Sequence, residues 1–163
     1  MEGELAPLEA GGSLMGWGKV RSLMYVCYTM PMTDQKQTVL LVEDAAPAAF
    51  ALGKVLGNEG FEVILAGDGE EGLKVALEKH PDVILADLKM PKMGGMEMIR
   101  ELHKDPWGAS AEIIILTNVS DVETLEEAMS QNTFYYLVKS DTSMADIVTK
   151  IRARLAARGK DVK

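Results

Sequence analysis

Five reactive polar residues stand directly after short apolar segments of this chain. The segments are apolar on both faces and rich in β-branched residues, which is typical of strands buried in a parallel sheet. Parallel strands end at the same edge of a sheet, where open α/β sheets bind their ligands. The sequence therefore predicts that these side chains meet at one edge. They are Glu43 and Asp44 after residues 39–42, Asp87 after 83–86, Thr117 after 113–116, and Lys139 after 136–138.

The three carboxylates predict a metal site. Carboxylates at close range repel one another, and a divalent cation between them relieves the repulsion. Mg²⁺ suits this set because it prefers oxygen ligands, retains several waters, and is commonly held by one or two carboxylates plus phosphate. Ca²⁺ is disfavoured, since no acidic loop of the sequence supplies the roughly six to eight oxygens that it takes.

Lys139 and Thr117 add the means to bind an anion at the same edge. An ammonium beside a carboxylate stabilises its charged form and can later bind an added anion, to which a hydroxyl can also donate. Together with a metal, these groups form a site for placing a phosphoryl group on Asp87. Nucleophilic carboxylates that become aspartyl phosphates are an established class.

The elements that must position these residues alternate between strand and helix from Thr38 onward. Five βα units with short connections predict an α/β fold, a doubly wound parallel sheet with right-handed crossovers. Pro47 is predicted in the first turn of a helix, Asp68 as the cap of the next, and Asp141 or Thr142 as the cap of the last. Helices are predicted over 47–57, 69–78, 96–103, 121–130 and up to 157; strands are predicted over 38–42, 61–66, 83–87, 113–117 and up to 138.

Length and composition predict one acidic domain. The chain has 163 residues and a formal net charge of −8, which argues against binding to nucleic acid or to anionic membranes. The single cysteine, Cys27, predicts a reducing, cytoplasmic compartment.

Residues 1–37 have no clear helical or strand periodicity and are expected to be a disordered extension or an overlong translation start. The domain is expected over 38–158, followed by a tail at 159–163.

From Thr38 to about Arg158 the chain resembles a response-regulator receiver domain of two-component signalling. The segments that carry the resemblance are 41–44, 86–95, 114–117 and 136–139; each is weak alone, but their order at successive strand ends is specific. The resemblance implies a flavodoxin-like (βα)₅ fold with strand order 2-1-3-4-5. It also implies that the protein is a phosphoprotein of a phosphorelay. Such a protein catalyses only its own phosphotransfer and dephosphorylation.

The resemblance implies a role for each residue at the predicted phosphorylation site. Asp87 would accept a phosphoryl group from a sensor histidine kinase, a histidine phosphotransfer protein or a small donor such as acetyl phosphate. Lys139 and Thr117 would bind the phosphoryl oxygens. Tyr136 would swing inward when Thr117 moves, so that phosphorylation changes the face formed by the fourth helix, fifth strand and fifth helix.

The same resemblance implies a ligand set for Mg²⁺. Asp44 and Asp87 would ligate the ion directly, and Glu43 would do so through water. The backbone carbonyl of Lys89 would be a further ligand.

The chain departs from the usual receiver pattern at three positions. Ser140 stands where most receivers have a proline in a cis peptide, and a cis bond to serine would cost about 3 kcal/mol, so the following loop is expected to differ. Asn118 replaces a usually small residue and is expected to narrow access to Asp87. Lys89, two residues past Asp87, could contact the phosphate or slow attacking water.

The leading hypothesis is a single-domain switch whose output is contact with an unidentified protein target, without direct contact with DNA. The main alternative is a pseudo-receiver that keeps the fold as an interaction module without phosphorylation, which Asn118 and Ser140 leave open. A phosphatase with an aspartyl nucleophile is disfavoured because it needs an acid where Lys89 stands. A flavin-binding protein is disfavoured because Glu43 and Asp44 would repel the flavin phosphate.

Overall fold

The computed structural model of the protein describes residues 36–118 and 134–158. The predicted helix at 121–130, most of the predicted N-terminal extension and the predicted tail lie outside these ranges. Within them the alternation of strands and helices is confirmed. The strands are β1 (Thr38–Val42), β2 (Glu62–Ala66), β3 (Val83–Asp87), β4 (Ile113–Thr117) and β5 (Phe134–Val138); the helices are α1 (Ala46–Asn58), α2 (Gly69–Lys79), α3 (Gly95–Leu102) and α4 (Met144–Arg158), with a 3₁₀ turn at Gly108–Ser110.

The five strands form one parallel sheet in the order β2-β1-β3-β4-β5, which confirms the predicted strand order. Val42 at the end of β1 is level with Ala66 of β2 and Ala86 of β3. Asp87 is level with Leu116 of β4. The residues that follow β1 and β3 are therefore delivered side by side, which is the condition that the predicted site requires.

The sheet is covered on both faces by apolar residues. Leu40 and Val42 belong to the core that contains residues of α2 and α3, whereas Val39 and Leu41 belong to the core that contains residues of α1 and α4. All four of these β1 residues are fully buried. Because both faces of the sheet are shielded from water at β1, the sequence of this strand is a continuous apolar run instead of an alternation of apolar and polar residues.

Most predicted boundaries are correct to within one or two residues, and two of the predicted caps are confirmed. Pro47 lies in the first turn of α1, and Asp68 accepts a hydrogen bond from the amide of Glu71 at 2.9 Å. The cap predicted for the last helix is wrong, because Ser143 takes that role. Its hydroxyl accepts from the amide of Asp146 at 3.2 Å, and the Asp146 carboxylate accepts from the Ser143 amide at 3.0 Å, which forms a reciprocal capping box.

Gly95 allows the backbone at the start of α3 to approach the end of β3. A Cβ at Gly95 would lie 2.1 Å from the carbonyl oxygen of Asp87, whereas a Cβ at Gly57 in α1 would meet nothing within 4 Å. We expect Gly95→Ala to lower the free energy of unfolding by about 1–3 kcal/mol, since backbone must shift to admit the methyl group. The matched control Gly57→Ala should raise it by roughly 0.4–1 kcal/mol, since alanine restricts the unfolded chain. Urea unfolding measures both, and a Gly95→Ala protein as stable as the wild type would contradict the close approach.

Candidate functional site

The structure brings the three predicted carboxylates together at the carboxyl edge of the sheet. Glu43 follows β1, Asp44 comes next in the chain, and Asp87 is the last residue of β3. Each offers an oxygen that lies within 4.8 Å of those of the other two. Glu43 and Asp87 are each only 6% exposed, whereas Asp44 is exposed. The cluster therefore has a buried side and a side open to solvent.

Lys139 bridges the two buried carboxylates. Its Nζ donates to Glu43 Oε2 at 2.6 Å and to Asp87 Oδ2 at 2.7 Å. Burial opposes the charged form of Lys139, but the hydrogen bonds to Asp87 and Glu43 outweigh burial and raise the pKa of the ammonium above its usual value. Lys139 is therefore a fixed cation at neutral pH, already in contact with the carboxylate that is predicted to accept a phosphoryl group.

An apolar cavity of about 140 Å³ borders Lys139 and Glu43. Its walls include the buried side chains of Leu41, Leu52 and Ile147, which come from β1, α1 and α4. Low-dielectric surroundings of this kind strengthen the attraction between Lys139 and its two carboxylates while they penalise an unpaired charge. No feature of the sequence predicted this cavity, because it depends on how α1 and α4 pack over the sheet.

The residues of the cluster fit Mg²⁺. The three carboxylates supply oxygen ligands, and the Lys139 ammonium pairs with two of them, so a divalent cation beside Asp44 would relieve the repulsion among these carboxylates. Asp44 adds an exposed carboxylate through which a partly hydrated ion can enter. The amide of Lys89 donates to Asp87 Oδ1 at 3.3 Å, which fixes the start of the loop that carries the Lys89 carbonyl.

Two further residues of the predicted site lie on β4 and β5. Thr117 ends β4 and is level with Val138, so its backbone is at the predicted edge. Tyr136 is level with Ile115 on the edge strand β5 and is 43% exposed.

The two substituted positions also lie at this edge. Asn118 is exposed and directly follows β4. Ser140 follows Lys139, and its hydroxyl donates to Asp141 Oδ1 at 2.8 Å. All peptide bonds of the described ranges are trans, including the one that joins Lys139 to Ser140. The loop after β5 is thus a polar turn that leads directly into the Ser143 cap of α4.

One contact near the cluster has no signature in the sequence. The sequence predicts only a capping role for Asp68 and no role for Lys92. In the structure the Lys92 ammonium donates to Asp68 Oδ2 across two loops that flank the site. A pair of charged residues 24 positions apart is visible only once the loops are folded.

Comparisons with known proteins decide the family. Residues 39–152 match the model of the response regulator receiver domain. The chain belongs to this family. Its fold is similar to that of a receiver domain protein from Clostridium thermocellum, with a TM-score of 0.69 and 29% identity over 76% of this chain and 97% of that one. It is also similar to the chemotaxis protein CheY4 of Vibrio cholerae, with a TM-score of 0.66 and 26% identity over 72% and 98%.

Two mycobacterial regulators are among the relatives of this receiver domain. The DNA-binding response regulator MtrA of Mycobacterium tuberculosis is 32% identical over 124 residues, which are 76% of this chain and 53% of that protein. The transcriptional regulatory protein PdtaR of the same species is 33% identical over 128 residues, which are 76% and 60%. The chain thus spans little more than half the length of these relatives. In its described part, no helix has the length and apolar character needed to cross a membrane.

Proposed function

We propose that this receiver domain is a phosphorylation switch whose acceptor is Asp87 and whose phosphotransfer depends on Mg²⁺. The observation that carries the proposal is the contact of one lysine with two buried carboxylates, 2.6 Å from Glu43 and 2.7 Å from Asp87. A structural ion pair needs one carboxylate per ammonium. The excess of carboxylates in this cluster is explained if the site is built to hold a cation and then a phosphoryl group.

The proposed reaction is a transfer between a donor and one carboxylate oxygen of Asp87. That oxygen forms a bond to the phosphorus, and the bond between phosphorus and the donor's leaving atom breaks with its electron pair going to the leaving group. Lys139 then exchanges a carboxylate partner for a phosphoryl oxygen, which keeps the ammonium paired throughout. Thr117 is proposed to donate its hydroxyl to another phosphoryl oxygen.

Mg²⁺ would be held by Asp44 and Asp87, with Glu43 acting through a water and the Lys89 carbonyl as a further ligand. When bound, the ion would supply charge neutralisation for the phosphoryl oxygens as they approach the acidic cluster. The protein's own contribution is to shield Glu43 and Asp87 from solvent and to orient them. Lys139 orients both carboxylates by donating a hydrogen bond to each.

The proposed output is a change at the face that contains β5 and α4. Phosphorylation adds charge at Asp87 on β3, and Thr117 on the neighbouring β4 and Tyr136 on the edge strand β5 are proposed to respond. We propose that this face then binds a protein target, and that a sensor histidine kinase or histidine phosphotransfer protein supplies the phosphoryl group. The name of MtrA points to a DNA-binding output in that protein; the proposed output of this chain is contact between proteins.

A second candidate is a pseudo-receiver that binds partners without phosphorylation. Two observations favour it: Ser140 stands in place of the usual proline, and the larger Asn118 is exposed at the edge where a donor would enter. Neither substitution removes a carboxylate or the lysine. The two candidates differ in one measurable property, which is the ability of the protein to take up a phosphoryl group.

Incubation of the full chain with acetyl phosphate and Mg²⁺, followed by mass spectrometry of the intact protein, tests the proposal. We expect a single phosphoryl adduct that forms with Mg²⁺ and not with excess EDTA. The same sample should lose the adduct over time as water hydrolyses the acyl phosphate. Absence of any adduct, together with absence of Mg²⁺ binding, would support the pseudo-receiver instead.

A further inference from the structure

The loop between β3 and α3 is joined to the start of α2 by two hydrogen bonds. The Lys92 ammonium donates to Asp68 Oδ2, and the amide of Gly69 donates to the carbonyl of Met93 at 3.1 Å. A Cβ at Gly69 would lie 2.4 Å from that carbonyl oxygen, so only glycine permits this approach. The two loops are therefore in contact through both backbone and side chains.

Asp68 is the fixed end of this contact. Its side chain is 10% exposed, and its other oxygen, Oδ1, accepts from the amide of Glu71 and caps α2. The hydrogen bond from Lys92 is the largest cause that lowers the pKa of Asp68, and the same bond raises the pKa of Lys92. Both groups are charged at neutral pH, so protonation changes do not break the pair there.

Lys92 is held in an unfavourable backbone conformation. Its φ is 64°, in the left-handed region that residues with a Cβ seldom adopt. Such a conformation costs on the order of 1 kcal/mol or more and persists only where the surroundings impose it. The Met93 amide donates to the Pro91 carbonyl at 2.8 Å across Lys92, and the contacts of Lys92 and Met93 with Asp68 and Gly69 hold this turn against α2.

The other end of this loop is joined to the acidic cluster of Glu43, Asp44 and Asp87. The Lys89 amide donates to Asp87 Oδ1 at 3.3 Å, and the Gly95 amide donates to the Leu88 carbonyl at 3.0 Å. The loop is thus held beside Asp87 at one end and against Asp68 at the other. The carbonyl of Lys89, the proposed backbone ligand, lies between these two attachments in the chain.

We propose that Asp68 and Lys92 are positioning residues that set the affinity of the acidic cluster for Mg²⁺ by holding the loop that carries the Lys89 carbonyl. The part that concerns Mg²⁺ rests on the proposed function. The part that concerns the loop rests only on the contacts described above. Neither residue is a proposed ligand of the ion.

Because the two residues carry opposite charges, the direction of the change in Mg²⁺ affinity separates a positional effect from a charge effect. Lys92→Met makes the surroundings of the cluster more negative, which by charge alone would tighten Mg²⁺ binding. Asp68→Asn makes them less negative, which would weaken it, while asparagine keeps an oxygen that can cap α2. If the pair acts through position, both substitutions weaken Mg²⁺ binding by about threefold to tenfold, equivalent to about 0.7–1.4 kcal/mol.

Isothermal titration calorimetry of the full chain with MgCl₂ measures these affinities. The double variant should bind Mg²⁺ no more weakly than the weaker single variant, because each change breaks the same contact. Lys92→Arg should restore most of the affinity. Lys104→Met is the matched control, since Lys104 lies just after α3, pairs with Glu101 at the exposed end of that helix, and should not alter the affinity.

Amide hydrogen exchange of the metal-free protein gives an independent result. Lys92→Met should accelerate exchange at Gly69, whose amide donates to Met93, while exchange in the middle of β1 stays as in the wild type.

Affinity changes of opposite sign in the two single variants would show a charge effect and overturn the proposal. Unchanged Mg²⁺ affinities in both variants would also overturn it. Failure of the wild type to bind Mg²⁺ overturns the proposed function and the metal part of this proposal. Unchanged exchange at Gly69 overturns the positioning of the loop.

Discussion

Asp87→Asn is expected to abolish phosphoryl uptake from acetyl phosphate under conditions in which the wild type is phosphorylated. An amide is neutral and a far weaker nucleophile than the carboxylate that it replaces, so no acyl phosphate forms at this position. The substitution preserves size, and Lys139 keeps its hydrogen bond to Glu43 at 2.6 Å, so the fold is expected to persist. Intact-mass spectrometry with Mg²⁺ measures the uptake.

Glu97→Gln is the matched control for Asp87→Asn. Glu97 is an exposed acid in the first turn of α3, the helix that follows Asp87 in the chain. The substitution removes the same carboxylate charge without changing the cluster. The amount of phosphoryl adduct should therefore stay at the wild-type level. An adduct of wild-type size in the Asp87→Asn protein would show that another residue is the acceptor.

Lys139→Met is expected to lower the free energy of unfolding in the absence of divalent cations by about 2–3 kcal/mol. The change leaves Glu43 and Asp87, each 6% exposed, without the ammonium that bridges them. This is at or below the lower end of the roughly 3–5 kcal/mol that breaking a buried pair costs, because the Lys139 side chain is itself 26% exposed. Urea unfolding in EDTA measures the loss.

Saturating Mg²⁺ should recover part of the stability that Lys139→Met removes, since a cation that binds only the folded cluster stabilises it by mass action. The exposed pair of Lys104 with Glu101 supplies a control, and Lys104→Met should cost under about 0.5 kcal/mol. Equal unfolding free energies for the wild type and Lys139→Met in EDTA would contradict the account of the cluster.

The pH dependence of the Lys139 contribution follows from the raised pKa of its ammonium. A group whose pKa is higher in the folded state stabilises the protein fully below its unfolded pKa, and the contribution is lost as pH rises through the folded value. The difference in stability between the wild type and Lys139→Met should therefore be constant across neutral pH. It should shrink only above the usual lysine pKa of 10.5.

Much of the fold was predictable because both faces of the central strands are buried. Such strands leave continuous apolar runs in the sequence, and the polar residue that ends each run marks the carboxyl edge of the sheet. Glu43 and Asp87 were therefore placed correctly without coordinates. What the sequence could not show is that Glu43 is buried and the adjacent Asp44 is exposed.

The missed features depend on contacts between distant parts of the chain or on a local signal that was overlooked. The Lys92–Asp68 pair joins two loops, and the cavity beside Lys139 forms only when α1 and α4 pack on the sheet. The cap of α4 was predictable, because Ser143 and Asp146 have the spacing of a capping box. The earlier polar residues Asp141 and Thr142 obscured it.

The most direct test of the central claim is to locate the phosphoryl group. Borohydride reduces an aspartyl phosphate to homoserine, so wild-type protein treated with acetyl phosphate and Mg²⁺ can be reduced, digested and sequenced by mass spectrometry. The account predicts homoserine at position 87, only in samples that contained Mg²⁺. Homoserine at position 44 or elsewhere, or at no position, would contradict it.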